Sequence, residues 1–306
     1  MPKMHISRSQ VINAPIDKVH QILTDMSQWQ AWSPWLISEP EAKVDVRADN
    51  KYYTWKGSRV GEGQMEVTAE SPTHIEYDLI FLKPWKSQAK VAMDIKSSGE
   101  ATEVTWSMNS SLPFFMFFMK KLMSALIGND YERGLRLLKD YAEDGKVHSK
   151  LNFIGEENYP GNNYICIKRS CHVEEMPNHM KTDFTKLMTA AHNMKGFKPA
   201  EAFCIYNKWD MINKQVSYTA GVPYVGDKPE VNFAHETGNI PATKIYTLEH
   251  VGPYDHLGNA WTTLYGMQRS KEIKVKKSIH PFETYGNSPM DTDPKDLISR
   301  IHFAVK

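Results

Sequence analysis

The chain has 306 residues, 41% hydrophobic and 24% charged, with a net charge of +1. These values exclude disorder, collagen-like repeats and coiled coil, and they withhold the bulk positive field that most nucleic-acid binders use. At roughly 100–200 residues per domain, the length fits two domains better than one. Cys166, Cys171 and Cys204 make an odd count without CxxC spacing, so neither a disulfide framework nor a zinc knuckle is indicated and a reducing compartment is expected. The opening Met1-Pro2-Lys3-Met4-His5 has no apolar core of a secretory signal, so a cytoplasmic location is expected.

In chain order, an alternating stretch from His5 to Asn13 predicts a strand, and Ala14-Pro15-Ile16-Asp17 predicts a helix start, with Val19, Ile22, Leu23 and Met26 at helical spacing. An aromatic loop follows, Trp29-Gln30-Ala31-Trp32-Ser33-Pro34-Trp35. The period then changes to two: Met65 to Ala69, Ile75 to Phe81, Val91 to Ile95 and Val104 to Met108 each alternate, predicting an antiparallel sheet with one buried face. Pro113 to about Glu143 reads as a long helix with a kink or break at Gly128. Its apolar start, Leu112 to Ile127, is interrupted by Lys120-Lys121 and falls short of the ~20 residues a span needs, so it is expected to be buried rather than transmembrane.

A curved sheet gripping one long C-terminal helix encloses a cavity. The element order, the Ala-Pro-Ile-Asp-Lys-Val helix start, the Trp-x-x-Trp-Ser-Pro-Trp loop and Gly61-Glu62-Gly63-x-Met65 resemble the START-like (SRPBCC, polyketide-cyclase-related) helix-grip family over residues 1–145. The resemblance implies an apolar cavity for a hydrophobic molecule, but no single reaction. Six of the eight tryptophans lie here (Trp29, Trp32, Trp35, Trp55, Trp85 and Trp106); each either lines a pocket or fills the core of a small sheet. Glu62, between two glycines, is a candidate polar group in that cavity.

Residues 146–161, with Glu156-Glu157-Asn158-Tyr159-Pro160-Gly161, read as a polar linker. A repeat then occupies 162–306. Strand Tyr164 to Arg169, helix Asn178 to Met194 and strands Ala202 to Tyr206 and Val216 to Val222 recur as strand Lys244 to His250, helix Asp255 to Met267 and strands His280 to Tyr285 and Arg300 to Val305. The whole chain is therefore expected to be α+β, a helix-grip domain followed by a duplicated βαββ domain. Alternation puts Phe203 with Phe282 on one face, expected under the helices, and Cys204, Tyr206, Glu283 and Tyr285 on the other, expected to be free of them. A glutamate among aromatics is costly unless paired, so it either receives a cation or has a raised pKa suited to acid–base work.

Tyr218-x-Ala220-Gly221-Val222, Ile240-Pro241-Ala242, His250-x-Gly252-Pro253-Tyr254 and Phe282-Glu283-x-Tyr285 resemble the GyrI-like small-molecule-binding domain, also the effector domain of AraC-type and MerR-type regulators. The resemblance implies that Glu283 is the central acidic residue, meeting cationic aromatic ligands or acting in catalysis. It implies pocket aromatics at Tyr206, Tyr254, Trp261 and Tyr285, with Tyr218 a further candidate. A helix-grip domain stands where such regulators carry a DNA reader, so direct nucleic-acid binding is not expected, and there is no motif for a metal, nucleotide or flavin cofactor. Two functions follow. One is a small-molecule binder with apolar, aromatic pockets that senses or sequesters hydrophobic compounds, neutral or cationic, with Glu283 as electrostatic anchor. The other is a hydrolase opening strained-ring (cyclopropanoid-type) compounds, with Glu283 activating water and Tyr254 or Tyr285 positioning the leaving group. Protein partners are not legible.

Overall fold

The computed structural model describes residues 3–84, 86–111, 114–191, 202–226, 230 and 233–306. The chain divides into two compact units, Met1–Ser149 with Tyr265–Ser270, and Lys150–Leu264 with Lys271–Lys306.

In the first unit, strand β1 (Lys3–Ile12) leads into helix α1 (Ile16–Thr24) and the short helix α2 (Trp29–Trp32). Strands β2 (Lys43–Val46), β3 (Tyr52–Lys56), β4 (Glu62–Ser71), β5 (His74–Lys83), β6 (Ser87–Ser98) and β7 (Ala101–Ser111) follow. They form an antiparallel sheet in the order β1-β7-β6-β5-β4-β3-β2, and helix α3 (Lys120–Asp144) packs on β1 and β7. The predicted alternation sets the register: Val91, Met93 and Ile95 on β6 stand opposite Met108, Trp106 and Val104 on β7, all buried. Strands β2 and β3 lie outside the sequence expectations, because Lys43 to Val46 is mostly exposed and β3 is only five residues long.

Two expectations for α3 are corrected. Gly128 does not break the helix, which runs on to Asp144 and ends on Gly145 at φ 74°. Gly128 is instead a point of close approach, where a Cβ would collide with the Arg8 guanidinium. Nor is the described part of the apolar start fully buried, although Met123 and Ile127 pack against the core. Phe114–Met119 forms a 3-10 turn ahead of α3, and Phe117 and Phe118 are 60% and 70% exposed. Leu112 and Pro113 lie outside the described residues, as do Trp85 and the end of the second expected helix at His192 to Met194. Among the described residues, no helix is long and apolar enough to cross a membrane.

The second unit contains strands β8 (Lys150–Tyr159) and β9 (Asn162–His172), helix α4 (Met176–Ala191), and strands β10 (Phe203–Asp210), β11 (Gln215–Tyr224), β12 (Glu236–Ile240) and β13 (Thr243–Val251). The start of helix α5 (Gly258–Arg269), whose residues from Tyr265 on cluster with the first unit, together with β14 (Phe282–Tyr285) and β15 (Ile298–Ala304), completes it. The sheet order is β12-β9-β11-β10-β14-β15-β13-β8. The repeats β9-α4-β10-β11 and β13-α5-β14-β15 thus meet at the β10–β14 seam, each contributing three strands in mirrored order. Residues 150–159, expected within a linker, are an edge strand paired with β13. An edge strand exposed along most of its length needs little apolar sequence, so it reads like a linker.

The assignment of faces is also corrected. Leu187 and Ala191 of α4 cluster with Ile165, Cys204 and Tyr218, and Trp261 of α5 lies 5.9 Å from Phe303. The face of Cys204, Tyr206, Glu283 and Tyr285 is therefore the one the helices cover. Phe203 and Phe282 share the opposite face with Tyr164, Cys166 and Ile205. There Gly221 faces the Phe203 ring, in space a Cβ would fill. Alternation tells which residues share a face. Which face receives the helices depends on the hand of the crossover and on strand order, neither of which a single strand carries.

Candidate functional site

The β10–β14 seam puts Cys204 directly opposite Glu283, while Tyr206 stands opposite Tyr218 on β11. Glu283 is 1% exposed. Its Oε1 accepts hydrogen bonds from the hydroxyls of Tyr206 (2.9 Å) and Tyr285 (2.6 Å), and its Oε2 accepts from the indole Nε1 of Trp261 (3.0 Å). All three donors are neutral. Among the described residues no Lys, Arg or His forms an ion pair with this carboxylate. Burial raises the Glu283 pKa above its ordinary value, against the three hydrogen bonds that favour the charged form. Burial first and the Glu283 charge second push the Tyr206 and Tyr285 phenols and the Cys204 thiol well up.

The sheet and α5 thus bring together four of the six residues singled out from sequence: Glu283, Tyr206, Tyr285 and Trp261. Tyr206 meets Trp261 edge-on at 5.3 Å. Tyr254, 39% exposed, lies at the outer side of the cluster with its ring 6.0 Å from Tyr285, and burial together with Glu283 raises its pKa to about 12. Tyr218 does not join the cluster. Its hydroxyl donates to Asp183 Oδ2 at 2.8 Å.

Asp183, on α4 and fully buried, also accepts Nε and Nη2 of Arg169 at 2.7 and 2.5 Å, a bidentate pair that fixes α4 to β9 and β11. Sequence reasoning missed this anchor. The available signal was an acidic residue at the head of the i, i+4, i+8 stripe Asp183, Leu187, Ala191. Two aromatics were missed as well. Phe184 meets Tyr285 edge-on at 5.5 Å, and Trp209, 46% exposed, meets Tyr206 at 5.5 Å. Trp209 reaches this face because the β10–β11 register shifts between Tyr206 and Lys208, a bulge that alternation does not announce.

In the first unit a cavity of about 50 Å³ is lined mainly by aromatic and aliphatic side chains, Trp29, Trp35, Trp55, Tyr53, Trp106 and Tyr131 among them. Trp106 stacks on Tyr131 at 4.2 Å, and Gly63 leaves the space that the Trp55 ring occupies. The indoles of Trp35 and Trp55 donate to Asp130 and to the Val60 carbonyl. Those of Trp29 and Trp106 are buried and approach the Tyr53 and Tyr131 hydroxyls without completing a hydrogen bond. Trp32 is buried away from the cavity lining. Glu62 is not in that lining either; it pairs with Lys83 at 3.1 Å and Lys56 at 3.7 Å.

A sheet gripping a long helix, followed by paired βαββ repeats that bury a carboxylate among aromatic donors, defines a two-domain α+β protein. Residues 3–143 match the family described as polyketide cyclase / dehydrase and lipid transport, and residues 156–306 match the GyrI-like small molecule binding domain, so the chain joins a helix-grip domain of the first family to a GyrI-like domain. Among solved structures, the EcmrR C-terminal domain is 21% identical over 52% of this chain and 98% of its own, with a TM-score of 0.39. EcmrR in a cryo-EM complex with DNA is 18% identical over 63% of this chain and 72% of its own, with a TM-score of 0.41. The Aha1 dimer from Colwellia psychrerythraea, in a solution structure, is 18% identical over 47% of this chain and 98% of its own, with a TM-score of 0.35. No curated protein matches the chain significantly.

Proposed function

We propose that this chain is a cytosolic small-molecule-binding protein whose second domain takes cationic aromatic compounds, with Glu283 as the electrostatic anchor. The observation that carries the reading is the charge balance at Glu283: a carboxylate 1% exposed, with both oxygens engaged, and only by neutral donors. Burying an unbalanced carboxylate costs several kcal/mol, and a cation entering beside it recovers part of that cost. Tyr206, Tyr285 and Trp261 supply π faces for the same ligand, and Tyr254 and Trp209 extend that aromatic surface toward solvent. The raised Glu283 pKa also suits a general base, which keeps hydrolysis of strained-ring electrophiles as the second reading.

A thermal-shift screen of cationic aromatic, neutral aromatic and strained-ring compounds on the wild type and Glu283→Gln, each hit followed by mass spectrometry, separates the two. Binding of unchanged cations that depends on Glu283 supports the anchor; consumption of the compound that depends on Glu283 makes the protein a hydrolase. With residues 3–143 matching a helix-grip family, this chain should leave duplex DNA unshifted at moderate salt. A specific shift with steep salt dependence refutes that part.

A further inference from the structure

Part of the apolar run at the start of α3 packs on the core through Met123 and Ile127, but Phe117 and Phe118 do not lie in that core. Helix α3 fully buries no residue before Gly128; Met123 and Ile127 on one side of its first turns pack against the core, while Phe117, Phe118, Lys120, Lys121 and Leu122 stay exposed. Phe117 and Phe118 point outward, 60% and 70% exposed, with their rings 6.1 Å apart, and Leu122 adds a further exposed apolar side chain at 39%. Lys120 and Lys121 between them are exposed. Neither lysine forms an ion pair among the described residues, and the sequence holds no Asp or Glu between Glu103 and Asp130. Lys3, exposed on β1, is paired in register with Ser111, the last residue of β7 before this segment.

We propose that this segment is a peripheral membrane contact that seats on an anionic lipid surface. The two chemistries present are those such a surface rewards. Aromatic rings enter the headgroup–acyl boundary, and lysines beside them meet acidic headgroups. The charge pattern selects this occupant over a second copy of the chain, because a two-fold contact through Phe117 and Phe118 brings Lys120 and Lys121 toward the same lysines of its mate. Insertion needs no spanning helix and no lipid in the cavity of about 50 Å³.

Flotation of the whole chain with vesicles of phosphatidylcholine alone, and of phosphatidylcholine mixed with phosphatidylserine, tests the proposal. The wild type should float with the mixed vesicles and not with phosphatidylcholine alone. F117S/F118S should lower that partitioning at least tenfold, and K120Q/K121Q should lower it severalfold and remove its salt dependence. These side chains are exposed, so unfolding midpoints should stay unchanged, and the lysine pair supplies a second reading should the phenylalanine pair misfold. The proposal is overturned if the wild type stays with the soluble fraction in both mixtures, if it binds both equally, or if neither pair alters binding. It is equally overturned if the wild type self-associates in solution and F117S/F118S abolishes that association without affecting flotation.

Discussion

The two repeats of the second domain each bury a carboxylate on the helix-covered face of one sheet, yet they treat its charge in opposite ways. In the first repeat Asp183 meets Arg169 in a bidentate pair and receives Tyr218 besides, so the charge is balanced and α4 is pinned. In the second repeat Glu283 receives three donors and, among the described residues, no cation. Two buried histidines of the same repeat, His250 and His302, are likewise kept neutral by burial. A buried acid that already holds its counter-ion is complete as structure. One that lacks it is where a ligand's charge has something to do.

The comparison can be broken along the pH axis, where the largest effect is expected. Burial holds His250 down to about 4 and His302 down to about 3, from an ordinary 6.5. The unfolded chain therefore binds more protons below 6.5. Stability is complete above that value and is lost as pH falls toward the folded values, by about 4 kcal/mol for the two together at about pH 5. Urea midpoints across this range measure it, and a flat profile would show that these histidines are not held neutral.

Next in size is Asp183→Asn, which strands the Arg169 guanidinium. Because the Arg169 side chain is 29% exposed, the loss is expected at the low end for a broken buried pair, about 3 kcal/mol. Glu283→Gln removes a charge without stranding a cation, and although its amide nitrogen cannot accept from the donor it then faces, it should cost less than Asp183→Asn. The sign of its pH dependence follows from linkage. The folded pKa lies above the ordinary 4.5, so the folded state holds the proton more tightly, and the wild type loses stability relative to Glu283→Gln as pH rises from 4.5 through the raised value. Equal losses for Asp183→Asn and Glu283→Gln at neutral pH would erase the distinction between the repeats. The smallest effect belongs to Tyr285→Phe, which removes one donor from Glu283 Oε1. Stability should change by only about 1 kcal/mol, with the Glu283 pKa moving further up, as carbon-13 NMR of the labelled carboxyl can follow.

Much of this was legible in the sequence, for a physical reason in each case. Period-two stretches locate β4 to β7, and the repeat aligns Phe203-Cys204-Ile205-Tyr206 with Phe282-Glu283-Thr284-Tyr285, which puts Glu283 and Tyr206 on one face. The side of the sheet taken by the helices was not legible, because alternation is silent on the hand of a crossover. Nor was the position of Trp209, which a bulge turns toward Tyr206, or the edge strand β8, whose exposed residues read as a linker. The run at Phe117 and Phe118 misled in the other direction: apolar sequence predicts burial, but these two rings stay 60% and 70% exposed while Met123 and Ile127 further along pack against the core.

The central claim, that Glu283 awaits a cation, is tested most directly by calorimetric titration of N-methylquinolinium and its neutral isostere 1-methylnaphthalene into the wild type and Glu283→Gln. The account predicts that the cation binds the wild type at least tenfold more tightly than the neutral compound, and that Glu283→Gln abolishes this preference while leaving affinity for the neutral compound nearly unchanged. A preference for the cation that survives Glu283→Gln, or no preference in the wild type, would contradict it.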